Sequence, residues 1–96
     1  MFDHTTSVSV IIPCFNEEGG IKKSVADIKR NLPAAEIIIV NDGSTDQSKE
    51  IISQLNGVKC IHHPFNKGYG AALKTGMASA KGQYIAWFDA DNEHKG

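Results

Sequence analysis

The sequence predicts an α/β chain in one unit over residues 1–96, with an open sheet of about four parallel strands and about three helices. Three observations predict it. Short apolar, β-branched runs alternate with segments whose apolar residues recur at helical spacing. Each run closes on a proline, a turn signal or a polar cluster. The stretches between runs are long enough to hold a helix, which is what consecutive parallel strands require, and such βαβ crossovers are right-handed.

Residues 8–13 form the first strand, apolar on both faces as in a buried parallel strand and closed by Pro13. A loop over 14–20 opens into a helix whose stripe is Ile21, Val25, Ile28 and Leu32, ended by Leu32-Pro33. Residues 36–40 are the second strand, and Asn41-Asp42-Gly43 breaks it. Ser44 with Gln47 then reads as a capping box for a helix with Ile51, Ile52 and Leu55 on its inner face, stopped by Asn56-Gly57. Residues 58–61 are a weaker third strand, followed by a loop over 62–70 in which His62-His63 reads as filler. A helix over 71–80 carries Leu73, Met77 and Ala80 on one stripe, and residues 84–88 are the fourth strand.

Bulk properties exclude several classes. The net charge of −1 offers no basic field for nucleic acid. Cys14 and Cys60 lie apart within apolar runs, so they read as reduced, buried thiols rather than a zinc pattern or a disulfide, which suits the cytoplasm. No segment approaches the ~20 apolar residues of a membrane span, and the first residues have no signal-peptide character.

In open α/β sheets the ligand crevice lies beyond the carboxyl ends of the strands, and polar residues collect there. Asn16 and Glu17 follow the first strand, Asp42 the second, Asn66 and Lys67 the third, and Asp89 and Asp91 the fourth. In an extended chain residues i and i+2 point the same way. Asp89 and Asp91 can therefore aim two carboxylates at one spot with Ala90 facing away, an arrangement suited to Mg²⁺ or Mn²⁺ shared with phosphates. The alternative is a strand-ending turn. Asp42 is either a turn former or an acceptor for the N–H groups of a nucleobase. Gly68-Tyr69-Gly70 before a helix can admit a phosphate or ribose, although it is neither a P-loop nor a dinucleotide fingerprint. Lys67 is a candidate phosphate ligand, whereas Lys22-Lys23 and Lys29-Arg30 read as a solvated helix face. Together these imply a nucleoside diphosphate with its base near Asp42 and its metal at Asp89 and Asp91.

Four ordered stretches carry a family resemblance: residues 10–18 (VIIPCFNEE), 39–46 (IVNDGSTD), 66–73 (NKGYGAAL) and 89–91 (DAD). They resemble family-2 glycosyltransferases of the Rossmann-like GT-A fold, over nearly the whole chain from Val8 to His94. The third and fourth stretches look most like the dolichyl- and polyprenyl-phosphate sugar transferases, although Asn92-Glu93 stands where that branch has Leu-Gln. The resemblance implies that Pro13, Phe15, Glu17 and Asp42 line the nucleotide site. It implies that Asp89 and Asp91 hold Mg²⁺ or Mn²⁺, joined by Glu93, and that transfer inverts the anomeric centre. It further implies a UDP or GDP sugar as donor and a lipid phosphate as acceptor, met at the cytoplasmic membrane face by a full-length protein.

Family members are much longer than this chain. The expectation is therefore a nucleotide-binding half, a truncated GT-A domain with no catalytic residue of its own and no sugar transfer by itself. The fourth strand is expected to present an apolar edge open to self-association. A non-catalytic nucleotide-sugar-binding module is the alternative. A response-regulator phosphoacceptor domain fits poorly, because Pro13-Cys14-Phe15 stands where its acidic pair belongs and residues 60–63 carry no aspartate.

Overall fold

The computed structural model describes residues 7–90. Val8–Cys14 (β1), Ile21–Asn31 (α1), Glu36–Asp42 (β2), Ser48–Ser53 (α2), Lys59–His63 (β3), Tyr69–Ser79 (α3) and Tyr84–Trp87 (β4) follow in order. The four strands form one sheet in the order β3-β2-β1-β4, and every pairing is parallel. The predicted α/β class holds.

Strand periodicity divides the core. Val10, Ile12, Cys14, Ile37 and Ile39 face one side with Ile21, Val25 and Ile28 of α1 and Ile52 of α2. Ile11, Ile38 and Val40 face the other with Ala72 of α3. Successive residues of a strand point to opposite faces, so an unbroken apolar run fills both layers. Right-handed crossovers account for the arrangement. The chain steps from β1 to β2 to β3 in one direction with α1 and α2 on one face, then returns past β2 and β1 to β4 with α3 on the other. The strand order reverses at β1, and this switch point is where open α/β sheets bind ligands.

Pro13 sits inside β1 without breaking a ladder. Ile11 C=O accepts from Phe88 N–H, so Ile11 presents its backbone groups toward β4. Pro13, two residues on, points the same way, where the β1–β4 register has already ended at Ile11 opposite Trp87.

Several expectations are corrected. β2 continues through Asn41 and Asp42, which pair with His62 and His63 of β3. His62-His63 is thus the end of a strand rather than loop filler. The Ser44–Gln47 capping box does not form: α2 begins at Ser48, with Gln47 in the N-cap position and no side-chain cap. Of the expected Leu73, Met77 and Ala80 stripe of α3, Leu73 and Ala80 do pack half-buried against the core, but Met77 is exposed, and the buried residues of the helix are Ala72 and Gly76. A Cβ on Gly76 would lie 2.5 Å from Ile11 Cγ2, so only a hydrogen there lets α3 approach β1 this closely. Leu32 follows α1 as its C-cap and is exposed rather than part of the buried stripe.

β4 lies at the edge with all four of its residues exposed. Beyond it the chain bends at Ala90, whose carbonyl accepts from Ser24 Oγ of α1. Ala90 is buried and Asp89 is exposed.

Candidate functional site

The β1–α1 and β2–α2 loops are laced together at the carboxyl edge of the sheet. Asn16 has a left-handed φ of 52°, a conformation that asparagine tolerates better than most residues. Its Oδ1 accepts from the backbone N–H groups of Thr45 (2.7 Å) and Asp46 (3.3 Å), and its own N–H donates to Ser44 Oγ. Glu17 N–H donates to Ser48 Oγ at 3.0 Å, Glu18 N–H to Asp46 Oδ2 at 3.2 Å, and Gln47 N–H to Glu18 Oε1 at 2.8 Å. In this lacing the Ser44 hydroxyl and the Gln47 backbone N–H, from the two residues that resembled a capping box in sequence, serve the β1–α1 loop instead.

A cavity of about 440 Å³ opens beside it. Pro13, Phe15, Glu17, Asp42, Gly68 and Asp89 all line it, so most of the sequence-nominated residues come together. Lys67 does not: its ammonium lies over the Phe65 ring, 5.5 Å from the centroid. The calls on Asp91 and Glu93 lie outside the described residues.

Asp42 is buried at the end of β2. Its Oδ1 accepts from His63 Nδ1 and from Lys67 N–H, each at 2.8 Å, and its Oδ2 from Gly68 N–H at 2.9 Å. Burial alone would raise the carboxyl; the bonds from His63 and the two amides outweigh it and hold it below its ordinary value. Gly43, at φ 73°, continues the turn, and a Cβ there would lie 2.4 Å from Asn66 N. The 65–68 segment can therefore fold down onto Asp42 only over a glycine. Gly68, at φ 102°, then begins α3, whose N-terminus faces the cavity.

Asp89 is exposed on the opposite wall, where Tyr69 Oη donates to its Oδ1 at 3.1 Å. Burial first, and the Asp89 carboxylate second, push the Tyr69 phenol up. Among the described residues no group of three or more His, Cys, Asp or Glu side chains could hold a metal. Three carboxylates, those of Glu17, Asp42 and Asp89, line the cavity, and of these Asp89 is the exposed one. That donor set suits a divalent ion that keeps waters and completes its shell with phosphate oxygens, rather than one caged by protein. Cys14 also lines the cavity, but burial pushes its thiol up to about 11, so it is no nucleophile near neutral pH. Cys14 and Cys60 are both free.

Sequence reasoning missed His63 and Thr75. His63 is buried, bonds to Asp42 through Nδ1, and meets Thr75 Oγ1 of α3 through Nε2 at 2.9 Å. Only the β2–β3 register, which sets Asp42 opposite His63, could have exposed that link.

With this geometry in place, the comparisons with known proteins are specific. The family described as "Glycosyl transferase family 2" matches residues 9–96. A low-salt glycan biosynthesis hexosyltransferase, Agl6 of Haloferax volcanii, is 39% identical over 92 residues, covering 93% of this chain and 22% of that protein. A dolichyl-phosphate beta-glucosyltransferase of Trichomonas vaginalis, ALG5A, is 30% identical, covering 92% of this chain and 31% of that one. Among solved structures, glucosyl-3-phosphoglycerate synthase from Mycobacterium tuberculosis with Mn²⁺, UDP and its product superposes with a TM-score of 0.71 at 30% identity. That match covers 90% of this chain and 34% of the synthase. The chain thus spans only about a third or less of these relatives.

Proposed function

The chain belongs to glycosyl transferase family 2, and from that premise we propose that it binds the nucleoside-diphosphate sugar donor of an inverting sugar transfer. The observation that carries this reading is the cavity that Asp42 and Asp89 share across the N-terminus of α3. A carboxylate held ionised at the end of β2 suits the N–H edge of a base, and Pro13 and Phe15 supply apolar surface beside it. Glu17 is placed by the loop lacing. The first turn of α3, with Gly68 at its entrance, favours the negative charge of a diphosphate. Asp89 would hold the divalent ion, with Asp91 and Glu93 as the further proposed ligands. Bound there, Mg²⁺ or Mn²⁺ would neutralise charge developing on the departing diphosphate. The solved neighbour with UDP and Mn²⁺ supports this assignment.

In this reading the acceptor is a lipid phosphate, as the name of the dolichyl-phosphate relative suggests. An ionised phosphate needs no catalytic base to attack. Acceptor docking falls to the larger share of the relatives' length that this chain does not span, so residues 1–96 by themselves bind the donor without transferring its sugar. No helix among the described residues is long and apolar enough to cross a membrane; the proposed setting is the cytoplasmic face. The open edge of β4 is proposed to pair with a second copy of the chain, and sedimentation that stays monomeric across a concentration series would exclude that.

Calorimetric titration of UDP and GDP, with and without Mn²⁺, tests the donor site. Metal-dependent binding by the wild type, lost in the Asp89→Ala, Asp91→Ala double variant, is the expected result. Binding indifferent to both the metal and the double substitution would sink the reading.

A further inference from the structure

The chain after β4 is pinned on both sides of Asp89. Phe88 N–H, one residue before it, donates to Ile11 C=O of β1 at 2.9 Å. Ala90 C=O, one residue after it, accepts from Ser24 Oγ of α1 at 3.3 Å. The backbone at Asp89 is therefore placed by the sheet and by α1, while the residue itself stands exposed. An exposed carboxylate turns about its side-chain bonds unless a partner holds it. Among the described residues that partner is the Tyr69 hydroxyl, 3.1 Å from Oδ1. We propose that Tyr69 is a positioning residue for divalent-cation binding, its phenol holding the Asp89 carboxylate in the orientation that takes the ion. The inference rests on the donor-site reading above and adds to it the group that orients the metal ligand.

A carboxylate only accepts, so the hydrogen between the two groups belongs to the phenol. The bond uses one of about four acceptor positions on the carboxylate and spends none on Oδ2. Carboxylates that ligate metals are commonly held by an outer hydrogen bond of this kind, and losing it weakens metal binding. The reason is entropic as well as electrostatic. A side chain already held loses less rotamer freedom when the ion arrives, and an exposed one has the most to lose. Asp42, on the other wall, has no need of such help, because three hydrogen bonds already hold it.

Tyr69 is itself well placed for the task. It is the first residue of α3, and Gly68 before it donates its N–H to Asp42 Oδ2 at 2.9 Å. Lys67 N–H, 2.8 Å from Asp42 Oδ1, adds a second tether. One run of contacts thus joins the buried carboxylate that ends β2 to the exposed one that follows β4. It passes through the amides of Lys67 and Gly68 and then through the Tyr69 side chain. Both Tyr69 and Asp89 line the donor cavity. The Tyr69 side chain is 52% exposed, so the core does not depend on it, and a role for its hydroxyl can be separated from a role in packing.

The test is calorimetric titration of wild type and Tyr69→Phe with UDP and with GDP over a series of Mn²⁺ concentrations. Phenylalanine keeps the ring and deletes only the hydroxyl. The Mn²⁺ concentration that half-restores nucleotide binding is expected to rise about three- to tenfold in the variant. At saturating Mn²⁺ the nucleotide affinity should return to within about twofold of wild type. A lowered plateau, with or without a shifted midpoint, would make Tyr69 a contact of the nucleotide or a support of the fold, and overturns the positioning role. An unchanged midpoint overturns it too. So does a lower midpoint, because the hydroxyl would then compete with the ion for Asp89. Each of these outcomes leaves the donor-site reading standing. Wild-type binding of neither nucleotide in a Mn²⁺-dependent way overturns that reading and the inference together.

Discussion

β2 and β4 belong to one parallel sheet, and both are apolar in sequence, yet they end in opposite situations. β2 lies between β1 and β3, has helices over both faces, and is buried at every residue from Ile37 to Asp42. Among the described residues β4 has one strand neighbour, and all four of its residues are exposed. The carboxylates that follow inherit the difference. Asp42 is buried and held by three hydrogen bonds. Asp89 is exposed, with Tyr69 Oη on one oxygen. An apolar run states that a strand can be buried; its neighbours decide whether it is. For a donor site the contrast is useful: the end that would read a base is buried and hydrogen-bonded, and the end that would meet a hydrated metal is exposed.

The sharpest way to break the comparison is a matched pair of truncations. Ile39→Ala should cost about 2–5 kcal/mol, because it leaves a cavity in the layer shared with α1 and α2. Ile85→Ala on β4 should cost less than about 1 kcal/mol, since much of that side chain is already in water. Urea midpoints measure both, and equal costs would mean that β4 is covered in solution.

Next in size is overpacking between α3 and β1. Gly76→Ala brings about 1 kcal/mol of helix propensity, but its methyl would collide with the fully buried Ile11. The collision wins, with a net loss of about 1–2 kcal/mol, whereas the exposed Met77→Ala in the same helix should stay within about 0.5 kcal/mol. Thermal melts of the two variants check the sign.

A smaller effect is expected at the loop lacing. Asn16→Ala removes the acceptor for Thr45 and Asp46 N–H and the residue that tolerates the left-handed turn, for about 1 kcal/mol. Nucleotide affinity should fall with it, because Phe15 and Glu17 are placed by that turn; calorimetry compares the variant with wild type.

The smallest effect on going from neutral pH is the approach to acid. The folded-state values of Asp42, Glu36 and Asp46 all lie below their ordinary values. Their stabilisation is therefore complete above about pH 4–5 and is lost as pH falls through the depressed folded values. Asp42→Asn should flatten that acid limb of the stability curve. A limb unchanged by the substitution would show that Asp42 is not a main source of it.

Apart from Pro13 and Phe15, which only the family resemblance added to the site, the sequence by itself determined the alternation of strands and helices, the parallel class, and the gathering of Glu17, Asp42 and Asp89 at one edge. These follow from local periodicity and from the direction that crossovers impose. It could not determine that Ala72 and Gly76 rather than Met77 meet the sheet. Helical spacing marks apolar residues, but how closely α3 approaches Ile11 depends on the smallest side chain between them. Nor could it show Ser44 serving Asn16, or His63 serving Asp42. Ser44 and Asn16 are 28 residues apart, and His63 and Asp42 are 21 apart. Such bonds exist only once strand order and register have brought separate loops within hydrogen-bonding distance, and that choice belongs to the packed core as a whole.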